Sequence, residues 1–198
     1  MKTAYSLLFT LSFFCVILPL RINAESQLSE TTFSGIVLHT VSKQEFDFFR
    51  ATRRKKVALL LYPGDWDPYS VHALKVLRNS ESVLMEWDYL VVVISPDRPE
   101  VQRRLYERMA LPFVQLYDPE HQVARALGLM ADLSSDRAAK LSSAGIDLLE
   151  RTGRVQGSLP QLSLTLIHRD GIRFERWRPS EKGLLLDTEW ITRNASPL

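Results

Sequence analysis

The sequence predicts an α/β domain with a mixed central sheet and helices on both faces. Two continuous apolar runs, at residues 57–62 and 89–95, are typical of strands buried on both faces of a sheet. Each run is followed by a helical pattern, and this alternation implies parallel strands joined by right-handed crossovers. Arg169-Asp170-Gly171 separates two later apolar segments and indicates a hairpin, so the last strands should be antiparallel.

The first helix of the domain is predicted from a capping pattern. Ser42 and Glu45 have the spacing of a capping box, in which each side chain bonds the backbone N–H of the other. Phe46 and Phe49 follow at helical spacing. We therefore expect a short amphipathic helix over residues 43–52.

The remaining elements follow from the same two periodicities. Ala73, Leu74 and Leu77 recur at helical spacing and predict a long helix after the first buried strand. In chain order, we expect helices at 69–87 and 99–109, a strand at 113–117, helices at 120–127 and 134–143, hairpin strands at 162–168 and 172–177, and a terminal helix within 180–193.

The amino terminus has the composition of a targeting segment. A basic start at Lys2, an almost wholly apolar run at 7–20 and a small-residue exit at Ala24 predict a signal peptide over 1–24. The alternative is an uncleaved anchor, since residues 4–20 approach the roughly 17–25 residues that span a bilayer. We favour cleavage and export, to a periplasm or to the exterior. A polar amino-terminal arm at 25–42 and one domain at 43–198 complete the predicted organisation.

Charge and cysteine content limit the classes of function. The chain has 25 basic and 23 acidic residues, and this balance gives no indication of nucleic-acid binding. Its single cysteine, Cys15, lies in the predicted signal peptide, so the exported chain would have no thiol, disulfide or cysteine-bound metal. We expect no cofactor and no metal, and membrane contact only through an uncleaved amino-terminal segment.

The turn after the first buried strand carries the most informative motif. Residues 62–70 read Tyr-Pro-Gly-Asp-Trp-Asp-Pro-Tyr-Ser. Asp67 and Pro68 form a favourable helix start, with the carboxylate accepting from the N–H of Ser70 and proline at the first helical position. The same stretch resembles peroxiredoxins of the alkyl hydroperoxide reductase/thiol-specific antioxidant group, where one branch reads Tyr-Arg-Gly-Gly-Trp-Cys-Pro-Tyr-Cys.

The resemblance continues along most of the chain and implies a thioredoxin-like fold. Further segments match the family in order and at compatible spacing. They are Ile94-Ser95-Pro96, Leu116-Tyr117-Asp118, the stretch 123–129, Gly145-Ile146-Asp147-Leu148, Leu159-Pro160 and the stretch 167–171.

The resemblance also implies that the family's redox site has been lost. Its two cysteine positions hold Asp67 and Ser70, and the position of its usual cis-proline holds Leu162. A serine hydroxyl cannot become a sulfenic acid, so peroxide reduction has no first step. No catalytic residue is therefore expected at these degenerate positions.

Our leading interpretation is a non-catalytic binding or accessory module. A groove at the degenerate site, lined by Trp66, Tyr69 and Leu162, would bind an unknown protein or small ligand, and the family resemblance makes a homodimer an open question. The alternative is an antioxidant oxidoreductase whose thiols come from a partner protein. Full burial of Trp66 and Tyr69 would argue against the groove.

Two further interpretations start from polar residues near the same turn. Ser70 and His72 invite a nucleophile–base pair, although residues two apart on a helix point to different sides. Asp65, Asp67 and His72 are three potential metal ligands, but their spacing matches no zinc motif. Both interpretations rank below the binding groove.

Overall fold

A computed structural model describes residues 28–155, 157–179 and 185–196, and its centre is a seven-stranded mixed sheet. The strands are β1 (Val37–Thr40), β2 (Glu45–Asp47), β3 (Lys56–Leu61), β4 (Tyr89–Ser95), β5 (Val114–Tyr117), β6 (Met130–Asp132), β7 (Ser158–Pro160), β8 (Ser163–Ile167) and β9 (Phe174–Trp177). The helices are α1 (Phe48–Arg54), α2 (Pro68–Asn79), α3 (Glu81–Glu86), α4 (Pro99–Met109), α5 (Gln122–Ala126), α6 (Ser135–Ser143), α7 (Leu148–Thr152) and α8 (Thr188–Ala195).

The strand order of the large sheet is β2-β1-β5-β4-β3-β8-β9. Strand β4 lies between β3 and β5 and is parallel to both. On the other side of β3, β8 is antiparallel to β3 and β9 is antiparallel to β8. The parallel centre and the closing hairpin confirm the predicted mixed α/β architecture. The carboxyl ends of β3 and β4 therefore lie side by side, and the loops that follow them form one end of the domain.

The sheet separates two apolar cores. Along β3, Ala58 and Leu60 face one core together with the buried side of α2, whereas Leu59 and Leu61 face the other. All four side chains are buried, which is why the strand reads as a continuous apolar run. Burial on both faces fixes the register, because a slip of one residue would exchange the two faces.

The helix predicted over 43–52 begins five residues later than expected. Residues Glu45–Asp47 form β2, in which Phe46 pairs with Leu38 of β1. The helix N-cap is Asp47, whose carboxylate accepts from the N–H of Arg50 at 2.9 Å. The capping-box prediction at Ser42 was wrong because pairing with β1 holds the segment extended, and a tertiary contact overrides the local signal.

The predicted amino-terminal arm is, in its described part, built into the domain. Phe33, Ile36 and Leu38 are buried in the core on the face of Leu59, and β1 pairs antiparallel with β5. The polar composition of residues 25–34 concealed the anchoring role of Phe33. The predicted signal peptide, 1–24, lies outside the described residues.

Two other differences concern the number of elements, whereas the predicted terminal helix is present. The long helix expected at 69–87 is divided at Ser80 into α2 and α3. The region between β5 and β8 contains a small antiparallel sheet of β6 and β7 that the sequence did not indicate. The terminal helix α8 begins at Thr188, where Asp187 accepts from the N–H of Trp190 at 2.7 Å.

Candidate functional site

The site predicted from the sequence lies at the start of α2, immediately beyond the carboxyl end of β3. Asp67 is the N-cap residue, and its Oδ2 accepts a hydrogen bond from the N–H of Ser70 at 2.9 Å. Pro68 occupies the first turn, where the missing N–H has no consequence. This is the helix start that the Asp-Pro pair predicts.

Ser70 is closed off by the same carboxylate. Its side chain is 0% exposed, and its Oγ donates to Asp67 Oδ2 at 2.5 Å. A buried hydroxyl that is already bonded to an anion is not accessible to a substrate. The pair stabilises the helix start and gives Ser70 no access to a reacting group.

The Ser-His and metal interpretations find no geometric support. His72 Nε2 lies 2.8 Å from the carbonyl oxygen of Leu186, so the ring is directed at the segment before α8. Among residues 28–155, 157–179 and 185–196, no group of three His, Cys, Asp or Glu side chains is placed to hold a metal ion. Within the same residues, no helix is long and apolar enough to cross a bilayer.

An open groove lies beside the capped helix start, with a volume of about 650 Å³. The residues that border it come from the turn before α2, from α6, from the segment before β8 and from the end of β9. They include Pro63, Asp67, Tyr69, Arg137, Leu162 and Arg178. Two of the three predicted groove residues, Tyr69 and Leu162, are therefore present, and Tyr69 is 44% exposed.

Trp66, the third predicted residue, does not line the groove. Its half-buried indole packs against Gly64, where a Cβ atom would lie 2.3 Å from the indole nitrogen. Gly64 has φ +154°, a backbone conformation that other residues rarely adopt. The indole thus closes the turn, and glycine is required beneath it.

Leu162 has become part of the core. It is buried and packs with the apolar cluster that also contains Tyr62 and Leu74. The peptide bonds of the described residues are all trans, including the bond that precedes Leu162. The position therefore contributes an apolar wall to the groove.

Sequence reasoning missed a buried ion cluster beneath the turn. Asp97 is 2% exposed and accepts from Arg151 at 3.1 Å (Nε to Oδ1) and 2.7 Å (Nη2 to Oδ2). Arg151 also pairs with Asp65, which bonds Arg108 at 3.0 Å. The partners are 54 and 86 residues apart in the chain, so no local pattern could have identified them.

Burial at the ion cluster raises the pKa of two groups. Burial raises the pKa of Asp97 above its ordinary value, although the hydrogen bonds and charge of Arg151 oppose the increase. Burial and the Asp97 carboxylate also raise the pKa of the Tyr62 hydroxyl. The Trp66 indole nitrogen is buried without a hydrogen-bond partner among the described residues. This end of the sheet is therefore a polar region enclosed by the loops.

The fold and the site together define a thioredoxin-like protein in which the helix start that follows β3 carries Asp and Ser. The family model of the AhpC/TSA family matches residues 32–158, which is most of the described chain. The chain belongs to the AhpC/TSA family, as the motifs of the turn indicated.

Curated relatives match over a shorter length. The chain is 36% identical over 80 residues to the putative peroxiredoxin bcp of Haemophilus influenzae, covering 40% of this chain and 52% of that protein. It is 33% identical over 72 residues to peroxiredoxin Bcp of Bacillus subtilis, covering 36% and 46%. The chain therefore spans about half the length of the curated relatives it matches.

Solved structures support the fold. Peroxiredoxin Q of Xanthomonas campestris superposes with a TM-score of 0.60 at 15% identity, covering 79% of this chain and 87% of that chain. Peroxidoxin BcpB of Mycobacterium tuberculosis gives 0.57 at 16% identity, covering 81% and 88%. At this identity the comparison concerns architecture alone.

Proposed function

We propose that this protein is an exported member of the AhpC/TSA family that performs no thiol redox chemistry and binds a ligand or partner in the groove beside α2. The observation that carries the proposal is the hydrogen-bonded pair of Asp67 and Ser70. Both side chains stabilise the helix start and neither is a thiol.

The chemistry of the fold explains why this substitution is decisive. A helix N-terminus activates a cysteine because the dipole and the free N–H groups stabilise its thiolate. With Asp67 in place, the negative charge at this helix start is already supplied by a carboxylate, which is a poor nucleophile. Ser70 cannot follow the sulfenic-acid route. The groove remains open although the reactive group is missing.

Export is supported by the composition of the first 24 residues and by the position of the single cysteine. If 1–24 are removed, the remaining chain has no cysteine. Two apolar cores, one on each face of the sheet, stabilise such a domain without disulfides. Intact-mass measurement of the protein recovered outside the cytoplasm tests this part, and we expect an amino terminus at Glu25.

The non-redox part is tested by hydrogen peroxide consumption in the presence of dithiothreitol. We expect the natural protein to consume no more peroxide than buffer does. A Cys15→Ser variant removes the only thiol of the full chain, so any residual rate that depends on an unprocessed signal peptide disappears in it. Peroxide turnover that persists in Cys15→Ser would overturn the proposal.

An Asp67→Cys/Ser70→Cys variant tests whether the scaffold still supports the family's reaction. We expect it to gain peroxide consumption, because a thiol at the start of α2 meets the same helix N-terminus. The related peroxiredoxins favour one competing function, an oxidoreductase that borrows thiols from a partner. Repeating the assay with thioredoxin distinguishes it, since borrowed thiols would make the natural chain active only with that protein.

A further inference from the structure

Among the described residues, the groove beside α2 is lined by more positive than negative charge. Arg137, in the first turn of α6, and Arg178, just after β9, both line it. Both side chains are exposed, and within the described part of the chain neither forms an ion pair or a side-chain hydrogen bond. Arg137 also lies where the helix dipole disfavours a cation. The two guanidinium groups are therefore available to a ligand.

Among the described residues, the acidic side chain that lines the groove is that of Asp67, and it already has hydrogen-bond partners. Asp67 Oδ2 accepts two hydrogen bonds from Ser70, and the carboxylate lies at the positive end of the α2 dipole. Its negative charge compensates the positive end of the α2 dipole. It therefore does little to neutralise Arg137 and Arg178.

A third arginine adds to the imbalance at the same sheet edge. Arg176 precedes Arg178 by two residues and donates from Nε to Thr165 Oγ1 at 3.0 Å. Its Nη2 is buried and has no hydrogen-bond partner among the described residues, although the guanidinium carbon lies 4.4 Å from the centroid of the Phe174 ring. Burial, followed by repulsion from Arg178, lowers the pKa of Arg176 to about 10.

Apart from Gln161 and the hydroxyl of Tyr69, the other residues that line the groove are apolar. Its volume of about 650 Å³ falls within the roughly 300–1,000 Å³ typical of small-molecule sites. Its apolar lining consists of Pro63, Ala131, Leu159, Pro160, Leu162 and Pro179. A cationic rim over an apolar floor suits a ligand with one anionic end and an apolar body.

We propose that the groove binds an organic carboxylate, with the carboxylate paired to Arg137 and Arg178 and the apolar body on the leucine and proline floor. Guanidinium groups bind carboxylates through short charge-assisted hydrogen bonds with defined geometry. This inference rests on the proposed function, because it names the ligand class of the same groove. A free acid and the terminal carboxylate of a peptide share this chemistry.

Calorimetric titration of the full protein tests the inference with matched probes. Octanoate and octan-1-ol have the same apolar chain and differ in charge. Acetyl-Leu-Leu and its carboxamide make the same comparison for a peptide terminus. We expect each carboxylate to bind at least about tenfold more tightly than its neutral counterpart, and the stronger of the two identifies the source.

Substitutions of the groove arginines test whether they cause the preference for carboxylates. Arg137→Gln and Arg178→Gln should each weaken binding of the preferred carboxylate by about tenfold, a typical effect of losing one charge-assisted hydrogen bond. The matched control is Arg54→Gln. Arg54 is an exposed residue of α1, which leads into the amino end of β3, whereas the groove adjoins the carboxyl end of that strand. Because all three side chains are exposed, the melting temperatures should remain close to that of the natural protein.

The outcomes separate this inference from the proposed function. Carboxylate preference that is lost in the groove variants and kept in Arg54→Gln supports the inference. Equal binding of the carboxylate and its neutral counterpart in both pairs overturns it and leaves the binding groove intact. Absence of binding by all four probes also overturns it, while the peroxide assay still decides whether the protein is redox-inactive.

Discussion

Substitution of Asp67 by alanine should destabilise the protein by about 1.5–5 kcal/mol. Loss of an aspartate N-cap costs about 0.5–2 kcal/mol. Asp67 has a second role, because its Oδ2 also accepts the hydroxyl of Ser70, which is 0% exposed. A buried hydroxyl left without an acceptor costs about 1–3 kcal/mol more. The two costs act on the same helix start, so they should add.

The assay is urea-induced unfolding, monitored by tryptophan fluorescence. The free energies of unfolding are compared at a constant m-value, which is the slope of that free energy against urea concentration. Asp147→Ala is the matched control, since Asp147 caps α7 through the N–H of Glu150 at 2.9 Å and bonds no hydroxyl. It should cost only the capping contribution, about 0.5–2 kcal/mol.

A double-mutant cycle isolates the second role. Ser70→Ala should destabilise the natural protein, but it should be neutral or stabilising in Asp67→Ala, because it removes the orphaned hydroxyl. If Asp67→Ala costs no more than Asp147→Ala, and Ser70→Ala has the same effect in both backgrounds, the Asp67–Ser70 pair does not stabilise the site as argued.

Two further predictions concern the neighbouring turn and the ion cluster. Arg151→Met leaves Asp97 buried without its cation, which typically costs about 3–5 kcal/mol. Because the folded-state pKa of Asp97 is above its unfolded value, ionised Asp97 opposes folding. The cost of Arg151→Met should therefore be larger at pH 8, where Asp97 is ionised, than at pH 4. Equal losses of unfolding free energy in urea at the two pH values would contradict this. Gly64→Ala should lower the melting temperature and expose Trp66, because the added Cβ would overlap the indole. An unshifted fluorescence maximum and an unchanged melting temperature would refute that packing.

Local chemistry explains which parts of the site could be predicted from the sequence. The Asp67–Ser70 cap spans three residues, and its hydrogen bond depends only on a carboxylate at the first turn of a helix. The groove residues Tyr69 and Leu162 followed from the family resemblance. Trp66 was misplaced because its packing over Gly64 depends on a positive φ angle that residue identity alone does not specify.

Contacts between distant segments were not predictable in the same way. Arg151 meets Asp97 only because α7 packs over the carboxyl ends of β3 and β4. Arg137 and Arg178 are 41 residues apart and share one groove only because α6 and the end of β9 converge beside α2. Nothing in the spacing of these arginines distinguishes them from solvated surface residues.

The sequence by itself determined the alternation of buried strands and helices, the closing hairpin, the capped start of α2 and the absence of thiols from the site. Each of these depends on residue identity or on a period of a few positions, which the chain carries locally. The tertiary structure decided that residues 45–47 form a strand, that Phe33 anchors the amino-terminal segment, and that a cationic groove adjoins the capped helix. Those features depend on which distant segments bury one another, because pairing and burial override weak local preferences.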